Sequence, residues 1–348
     1  MPSALATTVD ERAVAFRLAD PDGTIETVSL WCDLDIGETA FTRREGGWGL
    51  DLPLGADGPA IDRIEYLFDV DGTLGLDPGN PLTVAGAFGD HSWLPLPGYA
   101  APAWLDDAPV AGRRATVAVA GTPVGAVDLE LWSPADARAD EPLPLVLCHD
   151  GPEMDSYGEL TRFVATGIAT ARLPRLRVGL LLPGDRNARY AANAAYALAL
   201  TDHVLPRLRT VAPSPRPPLL MGQSLGALAA LHAAWTSPGA FSGLFCESGS
   251  FFTPGTDPQE AEIEHWDAVT AFVATVLSAD RWPADAPPIA IGCGSAEENY
   301  ANNRLLADHL IACGVDVSWA EVRDGHTWTC WRDLLDPALT VLVRKVFG

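Results

Sequence analysis

The chain has 348 residues, is 48% hydrophobic and carries a formal net charge of −23 at pH 7. That acidity argues against nucleic-acid partners, which are gripped by basic patches, and against docking on anionic membranes. Lys345 is the only lysine and stands three residues from the C-terminus, which excludes a P-loop and lysine Schiff-base chemistry.

The length favours two domains. The opening segment MPSALATTVDERAVAF has neither a basic start nor a continuous apolar run, so no export signal is expected. No apolar stretch approaches the ~18 residues of a membrane span. Six scattered cysteines (Cys32, Cys148, Cys246, Cys293, Cys313, Cys330) form no C-x-x-C pair and are expected to be reduced thiols. A soluble, cytoplasmic protein is expected, its oligomeric state open.

AVAFRLAD, ETVSLWCDL, WGLDLPL and RIEYLFDVDG are short alternating segments divided by Asp-Gly, Gly-Gly and Pro turns. This spacing predicts antiparallel strands in a small all-β, immunoglobulin-like sandwich, with a hairpin at Asp71-Gly72. The Pro/Gly-rich stretch DPGNPLTVAGAFGDHSWLPLPGYAAPAWL reads as a linker, which puts the boundary near Leu105. The expected domains are 1–104 and 105–348.

ATVAVAGTPVGAVDLELWSP then reads as two strands. From Leu143 onward, LPLVLCHDG, RVGLLLPG, PPLLMGQS, SGLFCESG and PPIAIGCG are near-continuous apolar runs separated by helical stretches. Buried parallel strands alternating with helices predict an α/β-hydrolase domain, a mostly parallel sheet with helices on both faces. In such sheets chemistry gathers beyond the carboxyl ends of the strands.

Gly222-Gln223-Ser224-Leu225-Gly226 lies between an apolar strand and the helical LGALAALHAAW. That context turns a common G-x-S-x-G match into a nucleophile elbow, and Ser224 reads as nucleophile rather than helix cap. A general base should follow a carboxylate in chain order. His326, just after the strand VSWAEV and an Asp-Gly turn, is the expected base; His232 and His265 fall in helical stretches. Glu297 and Glu298 follow the preceding strand and either could be the acid, with Asp324 and Asp333 as rivals beside the histidine. The oxyanion hole should use the N–H of Leu225 and one from CHDGPEMDSYG, where Pro152 has none and Gly151 or Glu153 must donate.

HDGPE, PGDRNARY, GQSLGALAAL, ESGSFF, Gly294 to Glu297 and DGHTWTCWRDLL, in this order, resemble the enterochelin esterase family of siderophore-releasing hydrolases. The resemblance covers His149 to Leu335, and the strand-rich first hundred residues resemble that family's N-terminal domain. It implies hydrolysis of a trilactone or depsipeptide siderophore through an acyl-enzyme, with Ser224, His326 and Glu297 as nucleophile, base and acid. It implies no metal or organic cofactor, although iron can belong to the substrate. Ferric catecholate complexes are anionic, so Arg186 and Arg189 are the expected substrate-binding cations. The alternatives are a generic carboxylesterase or acyltransferase and, from another class, a binding protein with a degenerate hydrolase site.

Overall fold

The structure, a computed structural model, describes residues 6–55, 58, 60–283 and 286–348. Residues 1–5, part of the segment read for an export signal, lie outside the described residues. The chain divides into two compact units: one holds residues 1–101, 294–298 and 322–330, the other the remainder.

In the first unit the strands are β1 (Thr8–Val9), β2 (Ala13–Ala19), β3 (Val28–Trp31), β4 (Thr42–Arg44), β5 (Gly47–Pro53), β6 (Arg63–Val70), β7 (Thr73–Gly75), β8 (Thr83–Gly86) and β9 (Gly89–Pro95). They form two antiparallel sheets, β1-β2-β5-β4 and β3-β6-β9-β8, with β7 paired to β6. Alternation explains the core. Val14, Phe16 and Leu18 on β2, Leu50 and Leu52 on β5, and Ile64, Tyr66 and Phe68 on β6 point inward into one cluster. Phe16 meets Tyr66 edge-on at 5.0 Å across it. Asp71 and Gly72 both take positive φ (53° and 81°), which is what the two-residue β6–β7 hairpin requires.

Two segments from late in the sequence join this unit through the backbone. The N–H of Asp35 donates to Ala296 O (2.8 Å), that of Asp62 to Arg323 O (2.7 Å), and that of His326 to Asp33 O (3.3 Å). Buried Arg63 on β6 pairs with buried Asp324 and reaches the Thr327 hydroxyl at 3.4 Å.

The second unit is built on an eight-stranded mixed sheet. Its strands are β10 (Gly112–Val117), β11 (Leu129–Pro134), β12 (Leu145–Cys148), β13 (Arg177–Leu181), β14 (Leu219–Gln223), β15 (Gly243–Glu247), β16 (Ile289–Gly294) and β17 (Val317–Val322). The order is β10-β11-β13-β12-β14-β15-β16-β17, antiparallel through β10, β11 and β13 and parallel from β13 to β16. Every residue of β12 through β16 is buried, because helices cover both faces; that burial is why these strands read as unbroken apolar runs. This order and handling of the sheet are consistent with the α/β-hydrolase fold. The expected site residues all leave carboxyl ends: Gly151 after β12, Ser224 after β14, Glu297 after β16 and His326 after β17.

Candidate active site

Ser224 is the single residue between β14 and the helix Leu225–Thr236, and it holds φ 54°, ψ −123°. A non-glycine residue there stores ~1–3 kcal/mol of strain, which the surroundings must over-determine. They do. Ser224 N–H donates to Glu247 O (2.9 Å), and Ser224 O accepts from Ser250 N–H (3.1 Å) and Ala227 N–H (3.0 Å). A Cβ on Gly222 would stand 2.4 Å from Gly226 O, so strand and helix could not turn this tightly around any other residue type. The Ser224 side chain makes no capping hydrogen bond to its helix; its Oγ lies 3.3 Å from Ser250 Oγ. Capping therefore does not account for this serine. Leu225 is the first residue of the helix, so its N–H has no intrahelical acceptor.

The loop after β12 packs against the elbow: a Cβ on Gly226 would lie 3.0 Å from His149 Cβ and 3.4 Å from Asp150 Oδ2. Asp150 takes a left-handed conformation (φ 47°), and Gly151 then opens the helix Gly151–Tyr157. Gly151 sits so close to β13 that a Cβ would meet Leu180 Cα at 2.3 Å. Burial pushes the His149 imidazole down to about 3, so it is a neutral packing group, edge-on to Tyr190 at 4.9 Å.

The two expected substrate-binding arginines have different surroundings. Arg186 clasps the buried Asp150 carboxylate, Nε at 3.0 and 2.9 Å and an Nη at 2.8 Å, and its guanidinium lies 5.5 Å from the Tyr190 ring centre. Arg189 donates to the carbonyls of Pro183 (3.2 Å), Val124 (3.1 Å) and Ala126 (2.7 Å), bracing the loop after β13.

In the first unit, His326 Nδ1 is 3.0 Å from Glu297 Oε2. Glu297 is buried, whereas Glu298 is exposed. The other acidic candidates have partners of their own: Asp324 pairs with Arg63, and Asp333 with Arg332 at 2.8 Å. Burial works against the charged His326 ring, but Glu297, then Asp33 and Glu298, outweigh it and lift its pKa above the ordinary value. The remaining histidines lie in structural settings. His232 is buried edge-on to Phe272 at 4.8 Å, and His265 precedes the helix Trp266–Leu277, beside Glu264.

Sequence reading missed the floor beneath the elbow. Ser248 has positive φ (47°), accepts Trp331 Nε1–H at its hydroxyl (2.9 Å) and Asn299 Nδ2–H at its carbonyl (3.1 Å). Asn303 clamps Gly249 by both backbone groups, at 2.9 and 2.7 Å. It also missed Asp33, which the chain brings to His326 across almost three hundred positions; no local pattern marks it.

Among the described residues no group of three or more His, Cys, Asp or Glu side chains could hold a metal ion, and no helix is long and apolar enough to cross a membrane.

A strained serine on a strand–helix turn, with a helix-opening loop packed against it, is a strand–turn–helix geometry consistent with the α/β-hydrolase fold. Residues 126–342 match the Esterase family, and the chain belongs to that family. It is 29% identical over 216 residues to the iron(III) enterobactin esterase of Dickeya dadantii (strain 3937), covering 58% of this chain and 48% of that protein. The chain thus spans about half the length of the curated relatives it matches. Its fold is that of two solved structures. The ferric enterobactin esterase of Salmonella typhimurium has a TM-score of 0.76 at 20% identity, over 97% of this chain and 95% of that one. The Shigella flexneri enterobactin esterase determined in the presence of enterobactin has 0.75 at 22%, over 98% and 95%.

Proposed function

We propose that the protein is a serine esterase that hydrolyses the ester bonds of a trilactone or related depsipeptide siderophore. The observation that carries the chemistry is the Ser224 elbow, whose strained backbone has no use in capping. The substrate class rests on the family membership and on the enterobactin esterases to which the chain is similar.

In the mechanism, His326 keeps its proton on Nδ1 because Glu297 accepts there, which leaves Nε2 as the base. Nε2 takes the Ser224 hydroxyl proton as Oγ adds to the ester carbonyl. The N–H groups of Leu225 and Gly151 hold the oxyanion. Collapse breaks the C–O bond to the leaving alkoxide, which receives the proton from His326 and departs as an alcohol. Water repeats the cycle on the acyl-enzyme, releasing the acid and restoring Ser224. Arg186, fixed by Asp150, is the substrate-facing cation; Arg189, committed to carbonyls, contributes its charge and shapes the loop.

The proposed organisation is an immunoglobulin-like sandwich within 1–104, supported by its two antiparallel sheets on one core, followed by the catalytic region 105–348. We place the reaction in the cytoplasm, where cysteine thiols stay reduced.

The test is incubation with ferric and iron-free trilactone siderophore, read by mass spectrometry, beside a short-chain p-nitrophenyl ester. Trilactone cleavage far faster than the simple ester supports the reading. Turnover of the simple ester alone would keep the serine chemistry and discard the substrate.

A further inference from the structure

The hydroxyl oxygens of Ser250 and Ser224 stand 3.3 Å apart, and both residues belong to the unit built on the eight-stranded sheet. Ser250 is buried, at 3% exposure, and among the described residues Ser224 Oγ is the hydrogen-bond partner of its side chain. A buried hydroxyl needs a partner, and the one this serine has is the proposed nucleophile.

The backbone leaves Ser250 little room to move. Its N–H donates to the carbonyl of Ser224 (3.1 Å), so the two residues are joined through main chain as well as through their hydroxyls. On the other side the fully buried Asn303 clamps Gly249, where a Cβ would meet the Phe251 ring at 2.3 Å. One residue earlier, Ser248 holds φ 47° and is bonded by Trp331 and Asn299. Residues 248–250 thus form a bracket that fixes one hydroxyl beside Ser224 Oγ.

A hydroxyl has one proton to give. In the proposed mechanism Ser224 gives its proton to His326, so in the reacting enzyme the bond between the serines runs from Ser250 O–H to Ser224 Oγ. That oxygen gains negative charge twice: as it loses its proton to attack the ester, and as it departs when the acyl group is released to water. A hydrogen bond to a charged oxygen is shorter and roughly twice as strong as one between neutral groups. The 3.3 Å separation exceeds the ~2.5–3.0 Å usual for O–H···O, and such contacts tighten when the reacting charge develops. A bond that is weak in the ground state and strong in the transition state raises kcat.

We propose that Ser250 is a further catalytic residue: its hydroxyl donates to Ser224 Oγ and stabilises the alkoxide character of that oxygen in both acylation and deacylation, keeping its own proton throughout. The assignment rests on the esterase reading and deepens it.

The experiment compares the wild type, Ser250→Ala and Ser250→Thr on p-nitrophenyl acetate, on iron-free trilactone and with an organophosphonate probe, with the Tm of each protein measured alongside. Ser250→Ala should lower kcat for both esters by about 10–100-fold and slow phosphonylation by a similar factor, at a Tm close to that of the wild type. KM should change by less than about threefold, because both half-reactions slow together. Ser250→Thr keeps the donor and should recover most of the lost rate. If the added methyl lowers the Tm, Ser250→Cys, a weaker donor of nearly the same shape, should fall between serine and alanine. An alanine variant with wild-type kcat and labelling overturns the inference. So does a loss confined to the trilactone, which would put the hydroxyl on the substrate rather than on Oγ, and so does a loss that follows a fallen Tm and that neither threonine nor cysteine repairs. A wild type that hydrolyses no ester and takes no phosphonate overturns the esterase reading itself, and the inference with it.

Discussion

The side-chain amide of Gln223 donates to the Glu247 carboxyl at 2.8 Å, one residue before Ser224 on β14 and at the end of the neighbouring strand β15. Both side chains are fully buried, and the Glu247 carbonyl also receives the Ser224 N–H. Burial pushes the Glu247 carboxyl well above its usual range, opposed only in part by Gln223. Above the ordinary carboxylate value of 4.5 the unfolded chain has lost a proton that the native state still holds. Stability should therefore fall as pH rises through that window. Glu247→Gln keeps the amide contact and removes the proton. Its Tm should decline less than that of the wild type between about pH 5 and about pH 8, and parallel curves would contradict the account.

The His326–Glu297 contact makes a prediction of the same kind for turnover. In the proposed mechanism His326 must be neutral to act as base, and its pKa is raised above 6.5, so the acidic limb of kcat/KM for an uncharged ester should lie above that value. Glu297 is the largest influence raising it. In Glu297→Gln the limb should move to lower pH while kcat falls by about 10²–10⁴. A drop in rate with an unmoved limb would show that Glu297 only supports the loop.

What the sequence made legible follows the range of the interactions involved. The Ser224 elbow is local: two glycines, one strand and one helix within a dozen residues carry its geometry. Buried parallel strands were equally plain as apolar runs. The choice between Glu297 and Glu298 was not, because adjacent residues differ only in which one the chain turns inward. Asp324 looked like a rival acid until its partner, Arg63, was visible across 261 positions. The clustering of 294–298 and 322–330 with the strand-rich unit was invisible for the same reason: it rests on the long-range Arg63–Asp324 pair and on backbone hydrogen bonds, and the latter leave no trace in side-chain pattern.

Gly222 offers a test of the elbow independent of the nucleophile. A methyl group there meets the Gly226 carbonyl, a backbone atom that cannot swing aside. Gly222→Ala should cost about 1–3 kcal/mol in chemical denaturation and reduce turnover through displacement of Ser224. An unchanged stability and rate would mean that the turn is looser than described.

Arg186 and Asp150 should show coupled energetics. Removing Arg186 leaves a buried carboxylate without its cation, which for a fully buried pair costs ~3–5 kcal/mol; the partial exposure of Arg186 brings the expectation to about 1–3 kcal/mol. Asp150→Asn in the Arg186→Ala background should recover part of the loss. Additive effects would sink the idea that Asp150 exists to hold the arginine.

The central claim is that Ser224 is an activated nucleophile, and intact-mass spectrometry after treatment with an organophosphonate probe tests it most directly. The wild type should gain one phosphonyl adduct mapping to Ser224, and His326→Ala should label far more slowly. Ser224→Ala should remain folded, take no adduct and lose ester turnover by a factor of ~10⁴ or more. A wild-type protein that stays unlabelled, or a Ser224→Ala variant that still hydrolyses ester at near wild-type rate, would contradict the account.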